Sequence, residues 1–372
     1  MIYHLLDERE VFSERDGGAI SRWAANVLRE GAEIVVCPSS DSSWNFPDNR
    51  VFRLPNWSLT GLVHPLLYRL PWSLQQAVYL RVFRTLLKTA RRGDILYVHN
   101  RPACAAVLAT VAERHGFKVV LHMHNSHLIM ANRGQLAALK KTPIVFCSDF
   151  LRKEAACALP DHFENVHVVH NGADSRTFCP MEQRPRNSVP EVIWTGRLVP
   201  YKGVHVLLDA MRILEDRRVT VKCKIVGGHN FGDRSRSTRY MRNLMRTRPT
   251  NTEFAGYVSG AGLADLLRHA DIFCCPSIWN DPFPLAPLEA MATGLPVVAS
   301  SRGGLREMLS HGGGILVPAN NAEELGSALQ KLVQDERYRE ELGAAARASF
   351  RDHFLWSIVR NQYQKVVGGL LA

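Results

Sequence analysis

Short apolar runs recur along this chain, separated by longer stretches whose apolar residues return every three or four positions. MIYHLL, IVVC, DILYVH, KVVLHMH, IVFCS and VHVVH are the runs of the first half. They are apolar almost throughout rather than alternating, as strands are when helices cover both faces of a sheet. AISRWAANVLRE, opened by Gly17-Gly18, and RPACAAVLATVAERHG read as intervening helices. Residues 170–190, rich in Pro, Asn and charge, break the rhythm and read as a linker. A second series follows: EVIWTG, the helix GVHVLLDAMRILED, VKCKIVGG, TEFAGYV, the helix GAGLADLLRHA, DIFCCPS, the helix PLEAMATG, PVVAS and ILVP. Such alternation predicts α/β architecture with parallel sheets. We expect two doubly wound domains, 1–180 and 181–355, and a C-terminal helix over 356–372. A ligand cleft is expected at the carboxyl ends of the strands.

Bulk properties narrow this picture. At 372 residues the chain suits two domains of ordinary size, and 46% hydrophobic with 22% charged residues is the balance of a globular protein. No run of about 18 apolar residues predicts a membrane-spanning helix. MIYHLLDEREVF turns acidic at once and lacks a basic n-region, so no signal peptide is expected. The eight cysteines form no C-x-x-C pair and several fall in apolar runs, which fits a reduced cytoplasm better than disulfides or zinc.

The formal charge of +11 favours an anionic partner: a membrane surface, a phosphorylated lipid or nucleic acid. A basic protein with no such partner is the alternative. No nucleic-acid module or stacking-aromatic array is present, so nucleic acid is not expected. Residues 57–92 hold Trp57, Tyr68 and Trp72, then Arg81, Arg84, Lys88, Arg91 and Arg92 along one expected helical face. That helix fits either an anionic membrane surface, giving a peripheral position on the inner face of the plasma membrane, or a solvated face of an ordinary packed helix. A second basic run, 233–248, carries Arg234, Arg236, Arg239, Arg242, Arg246 and Arg248 and suits an acidic acceptor or a solvated helix.

The most specific chemistry lies in WNDPFPLAPLEAMATGLPVVA, residues 279–299. Asp281 and Glu289 frame a Pro/Phe-rich turn that runs into a short helix, with Pro287 expected at its first position. Leu285 and Ala286 offer no capping oxygen, so the first N–H groups and the positive end of the helix dipole are open to a phosphate. The carboxylates can accept hydrogen bonds from hydroxyls. Phosphate plus hydroxyls suggests a nucleotide sugar. TGRLVPYKG adds Arg197 and Lys202 in one strand-to-helix loop, well placed for a diphosphate. Gly17-Gly18 allows a ligand to approach backbone N–H groups. VVLHMHNSH places His122 and His124 on one strand face; with His127 they make a weak metal pattern lacking an acidic partner, and no metal is expected.

These segments resemble the family 4 glycosyltransferases, retaining enzymes of GT-B fold, in which two Rossmann-like domains face a cleft. The 281–289 segment resembles their Glu-seven residues-Glu signature, with Asp281 for the first Glu and Pro284 for the Gly after Pro-Phe. Gly196, Arg197, Lys202 and Gly203 match their G-R-x4-K-G element. The resemblance implies that Arg197, Lys202 and the helix start stabilise the leaving diphosphate, and that Glu289 binds ribose hydroxyls. It further implies that Asp281 holds the donor sugar, aided by the turn 282–285, with Phe283, Pro284, Leu285 and Ala286 along the helix entry. His124 would contact the donor sugar and Gly17 and Gly18 would lie near its phosphates. The loops at Gly228 and at Tyr257 and Val258 would hold the base. Asn171-Gly172-Ala173-Asp174 and Gly303-Gly304 resemble structural elements of the family, and the final helix would cross back to the first domain.

The expected function is therefore metal-independent, retaining transfer of a hexose from a nucleotide sugar to a saccharide or lipid-linked acceptor in surface glycan synthesis such as lipopolysaccharide. A UDP-hexose is favoured over GDP-mannose. The competing reading is a nucleotide-sugar epimerase or hydrolase of the same fold, which would change the donor without an acceptor.

Overall fold

The computed structural model describes residues 1–8, 10–13, 18–28, 33–40, 50–54, 70–159, 163–184, 187–229 and 237–371. The chain divides into two compact units, Met1–His170 with Val359–Ala372, and Asn171–Ile358.

In the first unit the strands are β1 (Ile2–Leu5), β2 (Val11–Phe12), β3 (Ile34–Cys37), β4 (Ser39–Ser40), β5 (Val51–Arg53), β6 (Ile95–His99), β7 (Lys118–Met123), β8 (Ile144–Phe146) and β9 (Val166–Val168). Seven of them form a parallel sheet in the order β5-β3-β1-β6-β7-β8-β9, and β2 pairs with β4 alone. Central β6 is buried at every position, in keeping with its apolar run Ile95–Val98 before His99. β2, β4 and β5 were not expected; each is two or three residues long, too short to show a period. Helices Ala19–Val27 and Pro102–His115 cover the sheet, the second opened by Pro102 and closed by Gly116 in the left-handed conformation (φ 76°). The last helix, Trp356–Leu371, belongs to the first unit from Val359 on, where Tyr363 is buried.

The single basic helix expected within 57–92 is divided in two among the described residues, with Arg81, Arg84, Lys88, Arg91 and Arg92 all exposed. Residues 57–69 lie outside those described. Beyond them Trp72–Val82 ends at Phe83, a separate short helix runs Arg84–Thr89, and Arg91 and Arg92 follow it. Phe83 and Leu86 are fully buried, so the apolar side of the segment packs inward. Among the described residues no helix is long and apolar enough to cross a membrane.

The second unit repeats the plan. Its strands are β10 (Glu191–Thr195), β11 (Lys222–Val226), β12 (Thr252–Gly256), β13 (Ile272–Cys275), β14 (Val297–Ser300) and β15 (Gly314–Val317). They form one parallel sheet in the order β12-β11-β10-β13-β14-β15. Helix Val204–Asp216 buries Val204, Leu207, Leu208, Met211 and Leu214, a helical stripe laid on the sheet with Leu325, Leu329 and Leu332 of helix Ala322–Gln334. Chain order reverses between β10 and β13, which makes their carboxyl ends the switch point where doubly wound sheets bind ligands.

Candidate active site

Both cation and carboxylate sit at that switch point. After β10 the chain passes Gly196 and Arg197 into a single 3-10 turn, Pro200–Lys202. Gly203 ends it at φ 73°, and a Cβ there would lie 1.9 Å from the Pro276 carbonyl oxygen, so only glycine lets this loop close on the one after β13. Ile278 N–H donates to the Tyr201 carbonyl at 3.0 Å, joining the loops from the other side. The Lys202 ammonium then bonds the Asp281 carboxylate, whose side chain is only 7% exposed. Arg197 donates to the Tyr201 hydroxyl at 2.8 Å, and Lys202 Nζ stands 6.0 Å from the Trp279 ring centre. Tyr201 and Trp279 meet edge to face at 5.2 Å.

The acidic turn is held by backbone. Gly304 N–H donates to the Asp281 carbonyl at 2.8 Å, and a Cβ on Gly304 would lie 1.9 Å from the Pro282 carbonyl oxygen. Asn171 donates from Nδ2 to the Phe283 carbonyl at 2.9 Å. Both elements read from the sequence as structural thus fasten the signature segment.

Helix Leu285–Thr293 begins two residues earlier than expected. Pro284, extended at ψ 141°, is its cap residue, and no side chain caps it. Pro287 is therefore third, not first. It is tolerated there because third-position N–H groups have no partner inside a helix anyway. The open donors are Leu285 and Ala286, both half-buried. Glu289 consequently falls in the second turn rather than the first, and is buried.

Neighbouring strand ends complete the region. Leu198 N–H donates to the Gly228 carbonyl at 2.7 Å, and Gly227 N–H donates to the Gly256 carbonyl at 2.7 Å. The loops carrying Gly196, Gly228, Tyr257 and Val258 are thereby tied side by side, with Tyr257 and Val258 half-buried. Farther along, helix Arg239–Thr247 lines an open pocket of about 640 Å³ with Arg239, Tyr240, Arg242, Asn243 and Arg246. Arg234 and Arg236 lie outside the described residues.

Gly18 and His124 belong to the first unit; Gly17 lies outside the described residues. Gly18 N–H is already engaged: it donates at 2.8 Å to the Glu10 carboxylate, which also takes the Ser21 N–H at 2.9 Å. An anion at this helix start would have to displace Glu10. Burial pushes the Glu10 carboxyl up to about 7. Beneath lies a group of buried rings. β1, β6 and β7 are neighbours, and register places Tyr97 beside His4 and His99 beside His122. Alternation brings His124 to the same face. Burial drives the imidazolium forms of His4 and His124 down to about 3, and those of His99 and His122 well below their usual range. His127, the third member of the weak metal pattern, is exposed and takes no part; His99 groups with His122 and His124 instead. Sequence reasoning missed Glu10, His99, Tyr201 and Trp279. Tyr201 and Trp279 each stand within two residues of a chosen residue, an available signal; for Glu10 and His99 there was none.

Residues 180–349 match the family model for "Glycosyl transferases group 1". Over 287 residues the chain is 34% identical to a phosphatidyl-myo-inositol mannosyltransferase of Mycolicibacterium smegmatis, covering 73% of this chain and 70% of that protein. The chain belongs to the group 1 glycosyltransferases. This glycosyltransferase is also 27% identical over 289 residues to spore coat protein SA of Bacillus subtilis, covering 72% of the one and 76% of the other. Among solved structures it is similar to Anabaena HepE in complex with UDP-glucose, at a TM-score of 0.75, 19% identity and coverage of 99% and 100%. The glycosyltransferase has the GT-B fold expected from its sequence, two α/β units with parallel sheets.

Proposed function

We propose that this glycosyltransferase moves a hexose from a UDP-sugar to a saccharide or lipid-linked acceptor with retention of anomeric configuration. The observation that carries the reading is the Lys202–Asp281 pair at the switch point of the second sheet. It sets a cation for a phosphate beside an acceptor of sugar hydroxyls. Arg197, Lys202 and the uncapped helix start would meet the charge that grows on the departing diphosphate. These groups stabilise the leaving charge without a divalent ion. Asp281 would hold a sugar hydroxyl and Glu289 the ribose. The bond from the anomeric carbon to the phosphate oxygen breaks while the acceptor oxygen bonds to the same face, and its proton passes to the leaving phosphate.

HepE was solved with UDP-glucose, which supports a uridine donor; the mannosyltransferase relative makes a mannose-bearing donor the competitor. A lipid-linked acceptor would place the enzyme at an anionic membrane surface, where a charge of +11 helps. A thermal-shift panel of UDP, GDP and their hexose conjugates tests the donor, because a bound ligand stabilises by mass action. We expect the largest shift with a UDP-hexose. No shift with any of them would reject the nucleotide-sugar reading.

A further inference from the structure

The buried rings of the first unit form a continuous hydrogen-bonded file. Tyr363 Oη lies 2.9 Å from His4 Nε2, His4 Nδ1 lies 3.2 Å from His99 Nε2, and His99 Nδ1 lies 3.1 Å from His124 Nε2. A neutral imidazole carries one N–H and one lone pair, so each link constrains the next. Only two consistent orders exist. In one, the Tyr363 hydroxyl donates to His4, His4 Nδ1–H to His99, and His99 Nδ1–H to His124, leaving His124 with its proton on Nδ1. In the other every direction reverses, and the Tyr363 hydroxyl must donate elsewhere. Among the described residues His4 is its one hydrogen-bond partner. The first order spends every proton but the last.

We propose that Tyr363, His4 and His99 are positioning residues that hold His124 in the Nδ1–H tautomer, as a donor to a hydroxyl oxygen of the bound substrate. His124 Nδ1 is enclosed and has no hydrogen-bond partner among the described residues. A buried donor left unpaired is destabilising, and a ligand oxygen there removes that cost. The backbone agrees: His124 N–H donates to Asn100 Oδ1 at 3.1 Å, fixing the residue at the end of β7 while its ring stays half-buried. Trp23 packs against His99 and His124 with ring centres 5.2 and 6.3 Å away, walling the file from the side. His99, His122 and His124 are also spaced as metal ligands would be. However, His99 uses both ring nitrogens within the file, and no carboxylate among the described residues bonds the group to offset a buried divalent charge.

The substrate clause rests on the glycosyltransferase reading above; the tautomer clause does not. Long-range proton–nitrogen correlation spectra of the ¹⁵N-histidine protein read the tautomers without any ligand. His4, His99 and His124 should each show the proton on Nδ1. Tyr363→Phe keeps the ring and removes the hydroxyl, and should convert His124 to a mixture of tautomers. In the same variant KM for the nucleotide-sugar donor should rise about fivefold, the worth of one net hydrogen bond, while affinity for the free nucleotide stays unchanged. A His124 proton on Nε2 in the unmodified protein, or a tautomer unmoved by Tyr363→Phe, overturns the proposal. So does stoichiometric binding of Zn²⁺ that shifts the His99, His122 and His124 signals together. Correct tautomers in a protein that binds no nucleotide would instead reject the donor reading and the substrate clause with it.

Discussion

Lys202 and Asp281 form an ion pair, although each was chosen from the sequence for a different part of a substrate. A diphosphate would compete with Asp281 for the ammonium, and a sugar hydroxyl would compete with Lys202 for the carboxylate. On the proposed reading, donor binding would exchange one ion pair for two charge-assisted contacts. Lys202→Ala and Arg197→Ala should each lower kcat by about 10²-fold or more, as loss of a preorganised donor does. Asp281→Asn keeps an acceptor oxygen and frees Lys202, so it should be milder and alter the preference among hexoses. Steady-state rates across a panel of donors measure both. Full turnover in the Lys202→Ala protein would remove the diphosphate assignment.

Two elements depend on contacts smaller than a side chain. The Gly303-Gly304 turn presses on the backbone of the signature segment; at Gly304 φ is ordinary (−70°), so the obstacle to a larger residue is contact alone. Gly304→Ala should overpack the turn at about 1–3 kcal/mol, lowering Tm by roughly 2–10 °C, and should weaken donor binding. Calorimetry with and without nucleotide checks both. Helix Ala19–Val27 is capped from outside by Glu10. Because burial raises this carboxyl to about 7, the folded chain holds its proton more tightly than the unfolded one. The stability it contributes is whole below about pH 4.5 and is lost as pH rises through about 7. Glu10→Gln retains the acceptor oxygen and cannot ionise. It should raise Tm at pH 8 and leave it unchanged near pH 4.5; equal shifts at both values would contradict the burial argument.

At the scale of the whole molecule the buried imidazoles set the acid limit. His4, His99, His122 and His124 stay neutral when folded but take up protons near pH 6.5 when unfolded. Their stability is complete above that value and lost as pH falls below it. Each adds about 1.4 kcal/mol per pH unit to the slope. Urea melts at pH 7.5 and 5.5 should show a steep loss on the acid side; a flat profile would mean that the cluster opens to solvent.

The sequence by itself determined the two parallel α/β units, because apolar runs without alternation leave a strand no choice but burial on both faces. Most strand boundaries were legible to within two residues, from IVVC at 34–37 to EVIWT at 191–195. Arg197, Lys202, Asp281 and Glu289 were chosen from the sequence because a phosphate needs cations and a hydroxyl needs an acceptor. The helix entry was misplaced by two residues because Pro fits both the first and third positions of a helix, and only the dihedrals of Pro284 distinguish them. The single helix expected to carry the basic residues of 81–92 was misread because helical periodicity does not show where one helix stops and another starts. Tertiary structure alone decided that Lys202 meets Asp281, that Glu10 closes the Gly18 helix start, and that His4, His99, His124 and Tyr363 form one file. Those pairings span 79, 8, 95, 25 and 359 positions. A local pattern carries no information at such separations; strand order and register supply it.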